Sequence, residues 1–158
     1  FPGIMYRGGA EQKIRKYLLE GNFIDAVIQL PPNLFFGTSI ATCIIVLRKS
    51  KTDDSVLFID ASERFVHVGN QNQLSPDDIA AIMDAYVKRE PVEHFSAVAS
   101  LEDIRKNDYV LSVSGYVQPE DTREKIDIAA LNRQISDIVA RENELRAQID
   151  AIVADLES

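Results

Sequence analysis

Apolar residues fall along this chain in three rhythms, and each predicts a different kind of element. In residues 27–49 (VIQLPPNLFFGTSIATCIIVLRK) two short, β-branched apolar runs flank a loop of turn formers. Runs of this length, bounded by polar or turn residues, read as strands of one sheet, here residues 23–30 and 42–47. Residues 55–60 (SVLFID) read as a third strand and 95–99 as a short fourth. A helical rhythm appears in residues 10–20 (AEQKIRKYLLE), where Ile14, Tyr17 and Leu18 share a face and charges lie opposite. Gly21-Asn22 then stands where a left-handed cap belongs. A second helix opens at Ser75-Pro76-Asp77-Asp78, with a capping serine, a proline in the first turn and acids at the positive end. It places Ile79, Ile82, Met83, Tyr86 and Val87 on one face and stops before Pro91. The polar stretch 61–74 reads as a loop, 101–106 as a helical turn, 109–117 as strand or extended chain, and 1–9 as a strand-like or irregular entry.

The third rhythm is confined to the end of the chain. Ile128, Leu131, Ile135, Ile138, Leu145, Ile149, Ile152 and Leu156 step by threes and fours without slipping, and Glu142 holds the one missing apolar slot. This is a heptad pattern, uninterrupted by glycine or proline. A helix over about 126–157 is on the order of 48 Å long at the usual rise per residue, too long for a small domain to cover, so its seam predicts a partner helix. Glu142 disfavours a symmetric pair, because two facing carboxylates repel, and suits a partner with a basic or polar group there.

Composition narrows what such a chain does. At 158 residues and 46% hydrophobic it supports one respectable core. A net charge of -8 argues against a free-standing nucleic-acid binder but not against one subunit of a nucleic-acid assembly. The single Cys43 excludes an intrachain disulfide and fits a reducing cytoplasm. No apolar run approaches membrane-spanning length, so no membrane partner is expected. The chain begins without methionine, as a piece of a longer protein does.

Candidate chemistry is sparse. His67 and His94 have no second ligand at metal spacing and read as surface residues, and no phosphate-cradling glycine motif is present. Pro31-Pro32-Asn33 reverses the Asn-Pro-Pro-aromatic order used by enzymes that methylate the amino group of a base, and two prolines force an extended backbone. It is a decoy. Leu34, Phe35 and Phe36 are the unusual feature, since a polar loop that keeps them is not minimising apolar exposure and such loops carry contacts.

Taken together, RGGAEQKIRKYLLE, IDAVIQLPPNLFFGTSIATCIIVLRKSK and VLFIDAS resemble the later motifs of the modification (M) subunit of type I restriction–modification systems, a family of adenine-specific DNA methyltransferases. The likeness continues through DYVLSVSGYV into the heptad tail, although this chain has Ala41 where the family often has proline. The resemblance implies an α/β fold, the C-terminal portion of a Rossmann-like methyltransferase sheet followed by a long coiled-coil helix. It divides the chain into residues 1–118, part of the methyltransferase domain, and 119–158, an assembly helix. It implies methyl transfer from S-adenosylmethionine to adenine in DNA by a cytoplasmic complex, with the cofactor and catalytic motifs upstream of Phe1 and neither in this chain. Asn33, Phe35, Phe36 and Thr38 are then candidates for the target-base pocket, one phenylalanine facing the base and the other core. The heptad residues are candidates for binding the specificity (S) subunit, in a complex that also holds the restriction (R) subunit and DNA. The competing reading is a non-enzymatic α/β interaction module that presents a coiled coil.

Overall fold

The structure, a computed structural model, describes residues 2–119 and 128–156, so Phe1, Ile126 and Glu157 lie outside the described residues. The chain divides into two compact units, Phe1–Glu120 and Asp121–Ser158.

The first unit is built on a four-stranded mixed sheet in the order β2-β1-β3-β6, with β1 (Ile24–Gln29), β2 (Cys43–Leu47), β3 (Val56–Asp60) and β6 (Ser96–Ala99). β1 pairs antiparallel with β2 and parallel with β3, and β3 pairs antiparallel with β6. The inner strands β1 and β3 are buried on both faces, which is why their sequences are almost continuously apolar. Their side chains alternate between two cores. Val27, Val56 and Phe58 meet Leu19, Ile104, Leu111 and Val113 on one face, where the rings of Phe58 and Tyr116 stack at 3.9 Å. Ile28, Leu57 and Ile59 meet Ile82, Ala85 and Phe95 on the other. β2 differs: Ile44, Ile45 and Leu47 are exposed on an edge strand.

The helices are α1 (Ala10–Glu20), α2 (Pro76–Lys88) and the short α3 (Leu101–Lys106). α2 opens with the full reciprocal cap, Ser75 accepting from the Asp78 amide while Asp78 accepts from the Ser75 amide. Several local expectations are corrected. α1 turns Arg15 and Leu19 inward and leaves Ile14 and Tyr17 exposed, because Arg15 is consumed by the carbonyls of Ile4 (2.5 Å) and Tyr109 (2.8 Å). α2 likewise buries Ile82 and Ala85 and leaves Ile79, Met83 and Val87 outside. The polar stretch after β3 is not a loop but a hairpin, β4 (Val66–Val68) paired with β5 (Gln71–Gln73). Residues 2–5 and 113–115 form 3-10 turns rather than extended chain. Within the Gly21-Asn22 pair expected to cap α1, the left-handed residue is Asn22, φ 56. A bond from Arg105 holds the Glu20 carboxyl at about 2, and Tyr109 adds a second, tying α1 to α3.

One buried polar cluster holds α2 to the sheet. Asp25 is 1% exposed and sits where the β1–β2 register shifts. It accepts from Tyr86 Oη at 2.7 Å and from Arg89 Nη1 at 2.9 Å. Arg89 reaches it from a left-handed C-cap, φ 53. Replacing Asp25 by alanine strands a tyrosine hydroxyl and a half-buried guanidinium. It is expected to cost about 3 kcal/mol of stability, read as a lower midpoint in urea unfolding with an unchanged slope.

In the second unit, α4 (Ile128–Leu156) is one continuous helix. Leu131, Ile135, Ile138, Leu145, Ile149 and Ile152 are exposed along it, while the side chains of Ile128 and Leu156 lie outside the described set.

Candidate functional site: an aromatic loop facing a hairpin

The loop between β1 and β2 leaves the sheet through two prolines, neither of which has an N–H to give to a ladder. Pro31 is buried, and Asn33 follows in the left-handed region at φ 54, a conformation asparagine tolerates better than most residues. Leu34 turns inward against the α2-side core. The next four residues make a turn: the Thr38 amide donates to the Phe35 carbonyl at 3.4 Å, with Gly37 at φ 78 in the position where a type II turn favours glycine. Thr38 Oγ1 then accepts from the Ile40 amide at 3.2 Å, stiffening the far side.

This geometry decides the fate of the two phenylalanines. An extended loop would turn one in and one out. A tight turn puts Phe36 at its corner, 96% exposed, and leaves Phe35 51% exposed. Neither is core. Phe36, Asn33 and Thr38 line a cleft of ≈ 450 Å³ with Gly37 and Ser39, while Phe35 is not among its lining residues. The opposite wall is the β4–β5 hairpin, through Val68, Asn70 and Gln71. Sequence reasoning missed these three because the hairpin strands are short and polar. The signal was the Gly69-Asn70 turn, a hairpin cue set between Val-His-Val and Gln-Asn-Gln.

No lining residue is ionisable, so the cleft offers an aromatic face and neutral amides and hydroxyls. It can stack a planar ring and hydrogen-bond its edge, within the size range of small-molecule sites, about 300–1,000 Å³. It lacks the groups for general acid–base work. It also has no carboxylate for the ribose hydroxyls of S-adenosylmethionine, so the cleft does not fit that cofactor.

Elsewhere, His67 is exposed and meets the Phe65 ring edge-on at 5.0 Å, and the exposed His94 holds the Gln118 carbonyl at 2.9 Å. Among the described residues no group of three His, Cys, Asp or Glu could hold a metal ion. None of the described helices is long and apolar enough to cross a membrane. Cys43 is half-buried, and burial raises its thiol pKa.

A mixed α/β sheet whose strand-to-strand loop presents an exposed aromatic beside neutral amides offers a surface with the chemistry to stack a planar ring. Known proteins resemble this chain over most of its length. A family model described as N-6 DNA methylase matches residues 1–125. The chain is 45% identical over 157 residues to the type I restriction enzyme MpnII methylase subunit of Mycoplasma pneumoniae, covering 99% of this chain and 29% of that one. It is 38% identical over 153 residues to the MjaVII methylase subunit of Methanocaldococcus jannaschii, covering 93% and 26%. The crystal structure of a type I restriction–modification methyltransferase subunit from Streptococcus thermophilus superposes with a TM-score of 0.73 at 47% identity, covering 74% of this chain and 25% of that one. The chain therefore belongs to the N-6 DNA methylase family, among the methylase subunits of type I restriction–modification systems. It spans under a third of the length of the curated relatives named here.

Proposed function

We propose that this chain is the C-terminal portion of a modification subunit that transfers a methyl group from S-adenosylmethionine to the amino group of adenine in DNA. Residues 1–118 contribute one side of the target-base site, and residues 119–158 carry the helix α4 (Ile128–Leu156) that assembles with the specificity (S) subunit. The restriction (R) subunit and DNA complete the complex. The observation that carries the reading is Phe36, held by a turn at 96% exposure on the rim of a cleft lined by asparagine, glutamine and threonine. With Phe35 beside it, 51% exposed, it forms apolar surface of the kind that marks interaction sites. A base swung out of the duplex loses its stacking, and an aromatic face restores part of it. Asn33 suits the site as well. Its Nδ2 donates to the Asn70 carbonyl at 2.6 Å, which leaves Oδ1, an acceptor, for an exocyclic amine.

In this reading the chain holds no catalytic residue and binds no cofactor by itself, because both motifs belong to the preceding part of the subunit. The test is methyl transfer from labelled S-adenosylmethionine. The full-length subunit with its specificity partner labels DNA, and the 158-residue chain alone does not. Labelling by the chain alone overturns this division of labour.

A further inference from the structure

We propose that the β4–β5 hairpin is the second lip of the base site, and that Asn72 is the positioning residue that sets its distance from Phe36. This rests on the reading that the Phe36 loop receives an unpaired adenine. It adds the element that faces the base from the other side.

The starting observation is an odd residue on an odd strand. Val66 and Val68 of the hairpin are 47% and 50% exposed, yet the polar Asn72 between Gln71 and Gln73 is only 5% exposed. Its backbone N–H donates to the Asn33 carbonyl at 3.0 Å, and its Nδ2 donates to the Pro32 carbonyl at 2.8 Å. Asn33 returns the bond through Nδ2 to the Asn70 carbonyl at 2.6 Å. Three hydrogen bonds thus join Pro32-Asn33 to Asn70 and Asn72, across about forty residues of sequence.

Prolines explain why the tie comes from there. Pro31 and Pro32 have no N–H to donate, so this part of the loop has little of its own with which to pair, while its carbonyls still take donors. Asn72 supplies two. Its own Oδ1 meanwhile is buried with no partner among the described residues, a cost an apolar side chain would avoid. An asparagine kept at such a cost is there for its donors.

The hairpin lip has chemistry suited to a base. The side chains of Asn70 and Gln71 make no hydrogen bond among the described residues and line the cleft opposite Phe36. Carboxamides of this kind pair with the amino group and N7 of adenine through two hydrogen bonds. The site then consists of a stacking face from the loop and an amide edge from the hairpin, fixed to one another by Asn72 and Asn33.

The experiment uses the full-length subunit with its specificity partner and two duplexes: an unmodified one for methylation, and one carrying 2-aminopurine at the target adenine, whose fluorescence rises when the base leaves the stack. Asn72→Asp keeps the size and removes the donor to Pro32. Asn33→Gly keeps the positive φ and removes the tie to Asn70 together with the Oδ1 acceptor. Each is expected to lower kcat for methylation about tenfold, the scale of one lost hydrogen bond, with KM for DNA unchanged and the fluorescence rise reduced. The double variant is expected to lose little more than the worse single one, since both ties hold one loop. Wild-type fluorescence and kcat in a folded Asn33→Gly enzyme overturn the inference, whether or not Asn72→Asp folds. No fluorescence rise in the wild-type complex overturns the base-site reading itself and removes this inference with it.

Discussion

Replacing Ile138 and Leu145 together by aspartate is expected to abolish the proposed assembly with the specificity subunit while the first compact unit stays folded. Both side chains lie on α4, 66% and 52% exposed, on the stripe that runs from Leu131 to Ile152. Val139 and Val153, also exposed, stand beside that stripe and widen it beyond a strict two-residue seam. A face of that width suits packing against more than one helix. Glu142, the acid in the seam, has Arg146 one turn on at 3.3 Å, so its charge is partly met within the helix. Two added carboxylates have only Arg141 at helical spacing to share and must be buried against an apolar partner face, at several kcal/mol, which raises Kd by roughly a thousandfold or more. A pull-down from co-expressed subunits reads the loss, and far-ultraviolet circular dichroism confirms the fold. Retained capture refutes the assembly role of the helix.

Replacing Phe36 by alanine has the opposite signature, with catalysis falling and stability unchanged. A side chain 96% exposed takes no stabilising burial with it, so the melting temperature of the chain should move by no more than a degree or two. Stacking on an aromatic is worth about 1–3 kcal/mol per base, a drop of roughly 5- to 150-fold in kcat/KM for methylation. Phe36→Tyr retains the ring and should retain most of the rate. Phe35, half-exposed and not lining the cleft, should matter less. A large fall in melting temperature for Phe36→Ala, with little change in rate, would mean that the ring serves the fold.

Sequence was most informative where one rule governs. Continuous apolar runs marked β1 and β3, because a strand buried on both faces has no polar side to show. Ser75-Pro76-Asp77-Asp78 marked the start of α2, because caps are local chemistry. The faces of α1 and α2 were misread because a helix with apolar residues at several angles does not reveal which one a neighbour covers. Arg15 is the sharpest case, since its burial depends on carbonyls of Ile4 and Tyr109, far apart in sequence from each other. Half of the site was legible. The loop announced itself through Phe35 and Phe36, but their directions depended on the turn at Gly37, and the opposing wall was hidden in Asn72 and its neighbours, whose role is tertiary. The families of motifs in residues 1–61 and 108–117 carried the relationship to type I modification subunits, which the family match then established.

Proximity between Phe36 and the target base is the central claim, and photo-cross-linking reads it directly. The full-length subunit with its specificity partner is irradiated on a duplex with 5-iodouracil in place of the target adenine, and the cross-linked peptide is identified by mass spectrometry. The expected result is attachment within residues 33–38, at Phe36, lost in Phe36→Ala. Attachment to another part of the subunit, undiminished in Phe36→Ala, would contradict it.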